Sequence, residues 1–152
     1  MSKILFNQNL YIATANAGKL KEFRNFLAEM PLNILQMPKE LDINETGKSF
    51  LENARLKAFT VAKYTGEWSL ADDSGLEVES LNGAPGIYSA RYASNDKERI
   101  SKLLRELEPF QNRKARFVSS LCLSSNEKIL IEVEGVCEGF ISFKPFKALM
   151  PI

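Results

Sequence analysis

A few polar residues stand where chemistry could gather: Thr14, Asn16 and Lys19 in one stretch, Glu52 in a second, and Asp72, Asp73 and Ser74 in a third. Thr14-Ala15-Asn16-Ala17-Gly18-Lys19 lies between an apolar strand and the start of a helix. Unpaired backbone N–H groups and the positive end of the helix dipole favour an anion there. It is not a P-loop, which would need Gly at Ala13 and Ser or Thr at Leu20. Taken alone, the stretch reads as an Asn-capped helix with a solvated lysine. Glu52 likewise has a local explanation, because Ser49-Phe50-Leu51-Glu52 fits a capping box. A first-turn glutamate can also project toward a cation, and the two roles compete for one carboxylate. Asp72-Asp73-Ser74-Gly75 has the composition of a turn. Side chains alternate faces along a strand, so both aspartates can enter one site only if the backbone turns between them. Together, a lysine, an anion-binding helix end and two carboxylates make up what a magnesium–phosphate ligand requires.

The elements that must position these groups follow from hydrophobic spacing. Leu10–Thr14 reads as a short buried strand. A helix follows over about 17–30, with Leu20, Phe23, Leu27 and Met30 in helical register, Asn16 as its cap and Pro31 as its stop. Asn33–Met37 is a second strand. Ser49 opens a helix to about Tyr64, with Phe50, Ala54, Ala58 and Val61 on one face. Trp68–Ala71 and Leu76–Ser80 read as strands on either side of the acidic turn, and Asn82–Gly86 as a loop. Asn95 or Ser94 caps a helix to about Leu107, and Ala115–Leu123 and Lys128–Phe143 form a late pair of strands. Early strand–helix alternation followed by a hairpin predicts an α/β fold with a mixed sheet, in a single domain over 1–152.

Composition narrows the chemistry. The 152 residues hold 20 Lys+Arg against 19 Asp+Glu, which removes the electrostatic case for nucleic acid or a membrane surface as partner. There is no histidine, so imidazole bases and His-ligated metals are excluded. Acid–base work falls to carboxylates, lysines or metal-bound water. Cys122 and Cys137 make neither a disulfide framework nor a zinc site, and two free thiols in a reducing compartment are expected. No apolar run approaches a membrane span, and Ile4-Leu5-Phe6 is too short for a signal peptide, so a cytoplasmic protein is expected.

Four segments carry a family resemblance: "ATANAGKLKEF" (13–23), "SFLENARLKA" (49–58), "LADDSGLEVESLNGAPGIYSARYA" (70–93) and, more weakly, "GVCEGFI" (135–141). In this order they resemble the inosine triphosphate pyrophosphatase family, which hydrolyses ITP, dITP and XTP to the monophosphate and pyrophosphate. The resemblance implies an elongated, two-lobed α/β molecule with a long twisted mixed β-sheet flanked by helices, Mg2+ as cofactor, and a homodimer. It also implies roles. Thr14, Asn16 and Lys19 would hold the triphosphate, and Ser74 would contact phosphate. Glu52 and Asp73 would hold the metal. Asp73 would also orient or deprotonate the attacking water, with Lys19 assisting and Asp72 in support behind them.

The resemblance holds to about Pro145 and leaves 146–152 as a divergent tail. Family members continue into a glycine-rich loop, a Phe-Gly-Tyr-Asp-Pro motif and a Ser-His-Arg motif that read the base. The chain is therefore expected to be C-terminally shortened, through a frameshift, an early stop or a naturally short branch. Weak or unselective activity is the expected consequence, or a nucleotide-binding remnant or regulatory module without turnover. Sheet positions exposed by the shortening would invite self-association.

Overall fold

In a computed structural model, residues 7–146 are described. Five strands form one sheet in the order β2-β1-β3-β4-β5: β1 Gln8–Ile12, β2 Leu32–Gln36, β3 Trp68–Val78, β4 Lys114–Ser124 and β5 Ile129–Phe140. Three helices are interleaved, α1 Ala17–Phe26, α2 Phe50–Thr65 and α3 Asp96–Leu107. β1 pairs in parallel with both β2 and β3. β4 and β5 are joined by a tight turn in which the Ser125 N–H donates to the Lys128 carbonyl, which makes the sheet mixed as expected.

Two compact units divide the chain. One comprises the residues through Asp73 together with Ser120–Glu134, and the other Ser74–Ser119 with the residues from Gly135 on. In the first unit, α1 and α2 cover opposite faces of the sheet. Leu10, Ile12, Trp68 and Leu70 pack with Leu20, Phe23 and Leu27 of α1. Tyr11, Ala13 and Ala71 pack with Ala54, Ala58 and Val61 of α2. The residues of β1 and β3 thus divide by alternation, as a pleated strand requires. The same unit carries an open apolar groove of about 890 Å³, lined among others by Phe23, Phe26, Met30, Leu123, Ile131 and Val133. In the second unit, Leu107 of α3 is fully buried.

The local signals place most elements well. Asn16, Ser49 and Asn95 cap their helices as expected, and Gly66 closes α2 in the left-handed conformation that glycine adopts without strain. Helix α1 stops at Phe26 rather than running to Met30, because Leu27–Met30 tighten into turns ahead of Pro31. The larger correction concerns Asp72-Asp73-Ser74-Gly75. These residues form no turn. They lie inside the continuous strand β3, so the two short strands expected on either side of them are one. Sheet pairing has overridden a local turn preference, as tertiary context often does. The tail from residue 147 lies outside the described residues.

Candidate functional site

The parallel strands β1 and β3 create a topological switch point. From β1 the chain crosses through α1 to β2 on one side, while β3 pairs with β1 on the other. In open α/β sheets, ligands bind outside the carboxyl ends of strands at such a point. Here that region is formed by Ala13–Asn16, following β1, and by Asp72–Asp73, which start two residues beyond the last β1–β3 register pair at Leu70, where β3 runs on past the end of β1.

Because β3 stays extended, its two aspartates serve opposite faces. Asp72 continues the series Trp68, Leu70 toward α1, where its Oδ2 accepts from Lys19 Nζ at 2.7 Å. Asp73 continues the series Ser69, Ala71 toward α2, where its Oδ1 lies 4.0 Å from Lys57 Nζ. Both carboxylates are largely buried, with side-chain exposures of 11% and 14%.

On the α1 face, the helix start is organised around Asn16. Its Oδ1 accepts from the N–H groups of Gly18 and Lys19, while Thr14 Oγ1 accepts from the Asn16 N–H. Two of the helix's orphan donors are thereby satisfied, and the lysine next to them is held by Asp72. Thr14, Asn16 and Lys19 come together at one helix N-terminus, as the sequence leads one to expect.

The α2 face is built differently. Ser49 Oγ accepts from the Glu52 N–H, and Glu52 Oε2 accepts from the Lys48 N–H at 2.6 Å. The capping box therefore closes one residue earlier than the Ser49 N–H it was expected to reach. Glu52 keeps its other oxygen free of that bond. It makes no direct hydrogen bond to Asp73 among the described residues. Asp73 Oδ2 is buried without a partner among the described residues. Burial raises the Asp73 carboxyl above its ordinary range. The Lys57 ammonium and the nearby Asn53 side chain pull it back, while Glu45 and Asp72 push it up further.

Three groups at this face went unread in the sequence: Glu45, Asn53 and Lys57. Lys57 Nζ lies 3.4 Å from Glu45 Oε2 and, as noted, faces Asp73. A signal was available. Asn53, Lys57 and Val61 follow one another at i, i+4 and i+8, so two polar residues share a helical row with a core valine. Glu45 left no comparable trace, since a loop residue's partner is not written in local spacing. Ser74, next along β3, belongs to the second unit.

The arrangement fits a divalent cation shared with a phosphorylated ligand. Among the described residues, no group of three or more His, Cys, Asp or Glu could hold a metal on protein ligands alone. Magnesium is commonly bound through one or two carboxylates plus water and substrate phosphates. The orphaned, buried Asp73 Oδ2 is the atom such an ion would satisfy.

Comparison with known proteins adds an independent finding. A sequence model of the Ham1 family matches residues 10–148. A dITP/XTP pyrophosphatase of Prochlorococcus marinus is 58% identical over 139 residues, which span 91% of this chain and 71% of the relative. One of Nostoc sp. is 49% identical over 146 residues, 95% of this chain and 72% of the relative. Among solved structures, the Staphylococcus aureus Ham1 protein superposes with a TM-score of 0.83 at 36% identity, covering 91% of this chain and 74% of that one. A HAM1 protein from Coxiella burnetii also gives 0.83, at 38% identity, with 91% and 75% covered.

Proposed function

This chain belongs to the Ham1 family, and on that premise we propose that it is a nucleoside-triphosphate pyrophosphatase acting on non-standard purine nucleotides such as dITP, ITP and XTP. Water attacks the α-phosphorus, the α–β phosphoanhydride bond breaks, and the products are the nucleoside monophosphate and pyrophosphate. The observation that carries this reading is the switch point, where a lysine-bearing helix end follows β1 and a buried carboxylate with an unpartnered oxygen lies on β3 just past the end of its pairing with β1.

Each residue then has a task. Lys19 leaves Asp72 to neutralise a phosphate oxygen, and Asp72 holds the ammonium in place until the substrate arrives. Thr14 and Asn16 shape the helix end that receives the triphosphate, and Ser74 adds a hydroxyl to phosphate. Asp73, with Glu52, would hold a divalent cation, most simply Mg2+. When bound, that cation supplies charge neutralisation on the phosphates and a more acidic water. Asp73 orients the attacking water and takes up its proton, with positioning contributing a large share of the rate. Lys57 sets the charge beside Asp73.

We further propose, from the family resemblance, a homodimer working in the cytoplasm; light scattering on the purified chain tests the first. None of the helices is long and apolar enough to cross a membrane among the described residues.

The test is product analysis by phosphorus NMR with dITP, XTP, GTP and ATP in the presence of Mg2+. Pyrophosphate and monophosphate from dITP and XTP are expected. Release of orthophosphate overturns the reading, and nucleotide binding without turnover assigns the chain to the alternative of a binding module.

A further inference from the structure

Two charged residues are nine-tenths buried among the described residues, Asp72 at 9% and Arg113 at 8% exposed. Asp72 has the Lys19 ammonium at 2.7 Å. Arg113 has no such match. Its Nε and Nη1 are buried without a hydrogen-bond partner among the described residues. A guanidinium offers five N–H donors and no acceptor. Buried donors on a cation are costly to leave unmatched, and an anion is the partner that satisfies both charge and donors.

Phe143 offers partial compensation. Its ring centroid lies 4.2 Å from the guanidinium carbon, within cation–π range. An aromatic face offsets charge but presents no oxygen to the N–H groups. Beside it opens a cavity of about 530 Å³, contained in the second unit and lined among others by Gln111, Arg113, Lys114, Phe140, Ser142 and Phe143. No carboxylate lines it among the described residues, and two of its lining residues are cationic. Its size is that of a small-molecule site.

The backbone that carries Arg113 is fastened on both sides. The Asn112 carbonyl accepts from Ser80 Oγ at 2.8 Å, and Asn112 Nδ2 donates to Glu79 Oε2 at 2.7 Å. The Arg113 carbonyl accepts from the Ile141 N–H at 2.9 Å. Phe143, by contrast, is 64% exposed. Little packing holds the ring in place, so its movement uncovers the guanidinium while the frame behind it stays fixed.

We propose that Arg113, covered by Phe143 and flanked by Lys114, is an oxyanion-binding site for a small carboxylate or phosphate. Arginine takes both groups through charge-assisted, paired N–H bonds. The site belongs to the second unit, whereas Lys19 and Asp73 belong to the first, and it does not rest on the pyrophosphatase reading.

The experiment follows the Arg113 Nε–Hε signal and the Lys114 and Ile141 backbone amides of the full chain by 15N-edited NMR. Inorganic phosphate, citrate and sodium chloride are added in separate titrations at matched ionic strength. Phosphate or citrate is expected to shift these signals saturably at millimolar concentration or below, and chloride to leave them in place. The oxyanion that saturates first identifies phosphate or carboxylate as the ligand class. Arg113→Lys keeps the charge but loses the planar fork, and is expected to weaken binding by about 10-fold or more, read on the Ile141 amide. If that variant does not fold, the exposed change Lys114→Gln takes its place, with an expected loss of about 2–5-fold. Lys19→Met, altered at the switch point, is expected to keep the Arg113 shift. Oxyanions that move Arg113 no more than chloride does overturn the proposal. Undiminished binding in the Arg113→Lys or Lys114→Gln variant does so too, as does a shift that is lost with Lys19→Met.

Discussion

On the α1 face of β3, a carboxylate and a lysine close on one another at 2.7 Å; on the α2 face, the neighbouring carboxylate stands 4.0 Å from its lysine with one oxygen unmatched. The two aspartates are adjacent in sequence, both largely buried, and each faces a helix. Yet the α1 face is a satisfied pair at rest, while the α2 face is short of a positive charge. On the proposed function, the closed pair opens when substrate arrives, and Lys19 exchanges Asp72 for a phosphate oxygen. An under-matched buried carboxylate has a place for a cation already shaped. On the proposed function the two aspartates divide the work by face, and the division can be broken one face at a time.

The largest effect is expected at Asp73. Asp73→Asn should lower pyrophosphate release from dITP by about 10²–10⁴-fold, the span of a lost general base. It should do so without loss of thermal stability. Burial raises the Asp73 carboxyl above its ordinary range, so its ionisation at neutral pH opposes folding, and removing the charge costs nothing there. Near wild-type turnover together with a fall in Tm would reverse the roles assigned to the two faces.

Lys19→Met comes next, through KM rather than kcat. Losing one charge-assisted contact to phosphate should raise KM by roughly 10–100-fold. The Lys19 side chain is 37% exposed, which screens the pair, but Asp72, at 11%, is left without its partner, so a measurable fall in Tm accompanies the KM effect. A kcat defect at unchanged KM would mean that Lys19 acts on the transition state alone.

A smaller effect belongs to the helix start that carries Glu52 and Asn53. Ser49→Ala removes the hydroxyl that accepts from the Glu52 N–H, which should cost about 1 kcal/mol. For a chain of this length that is a fall in Tm of about 2–4 °C, measurable by calorimetry. No fall would show that Glu52's bond to the Lys48 N–H holds the turn by itself.

The smallest expected signal is a silence. Cys122 is buried within the α2-face cluster, and burial pushes its thiol up to about 11. It stays protonated at neutral pH, while Cys137 is exposed. Alkylation followed by mass spectrometry should modify Cys137 and leave Cys122 untouched. Labelling of Cys122 in the native protein would show that the α2 face opens, contrary to its closed packing.

Much of this arrangement was legible in residue spacing. Asn16, Ser49 and Asn95 are short polar residues ahead of apolar helical rows, and their capping follows from that position alone. The gathering of Thr14, Asn16 and Lys19 at one helix end is equally local. The acidic stretch has the composition of a turn because Asp, Ser and Gly favour turns when considered over four residues, yet it is strand in the fold. The strand pairing that keeps them extended comes from residues far along the chain. Glu45 was invisible for a related reason. Its importance lies in what the loop touches, and only the fold determines that.

One consequence follows from β3 running straight through its two aspartates. The strand assigns each residue by parity, and odd and even positions answer to different helices. A single residue inserted between Trp68 and Asp72 would leave the Asp-Asp-Ser-Gly string intact while exchanging its loyalties. Asp72 would then stand where Asp73 now faces Asn53 and Lys57, and Asp73 would pass to the α1 face two residues beyond the place that Lys19 now reaches. Such a chain would still read as a member of the family by its motif, and the α2 face would keep a carboxylate, yet Lys19 would lose the one it now holds. What the motif encodes is therefore its letters together with their phase against the sheet.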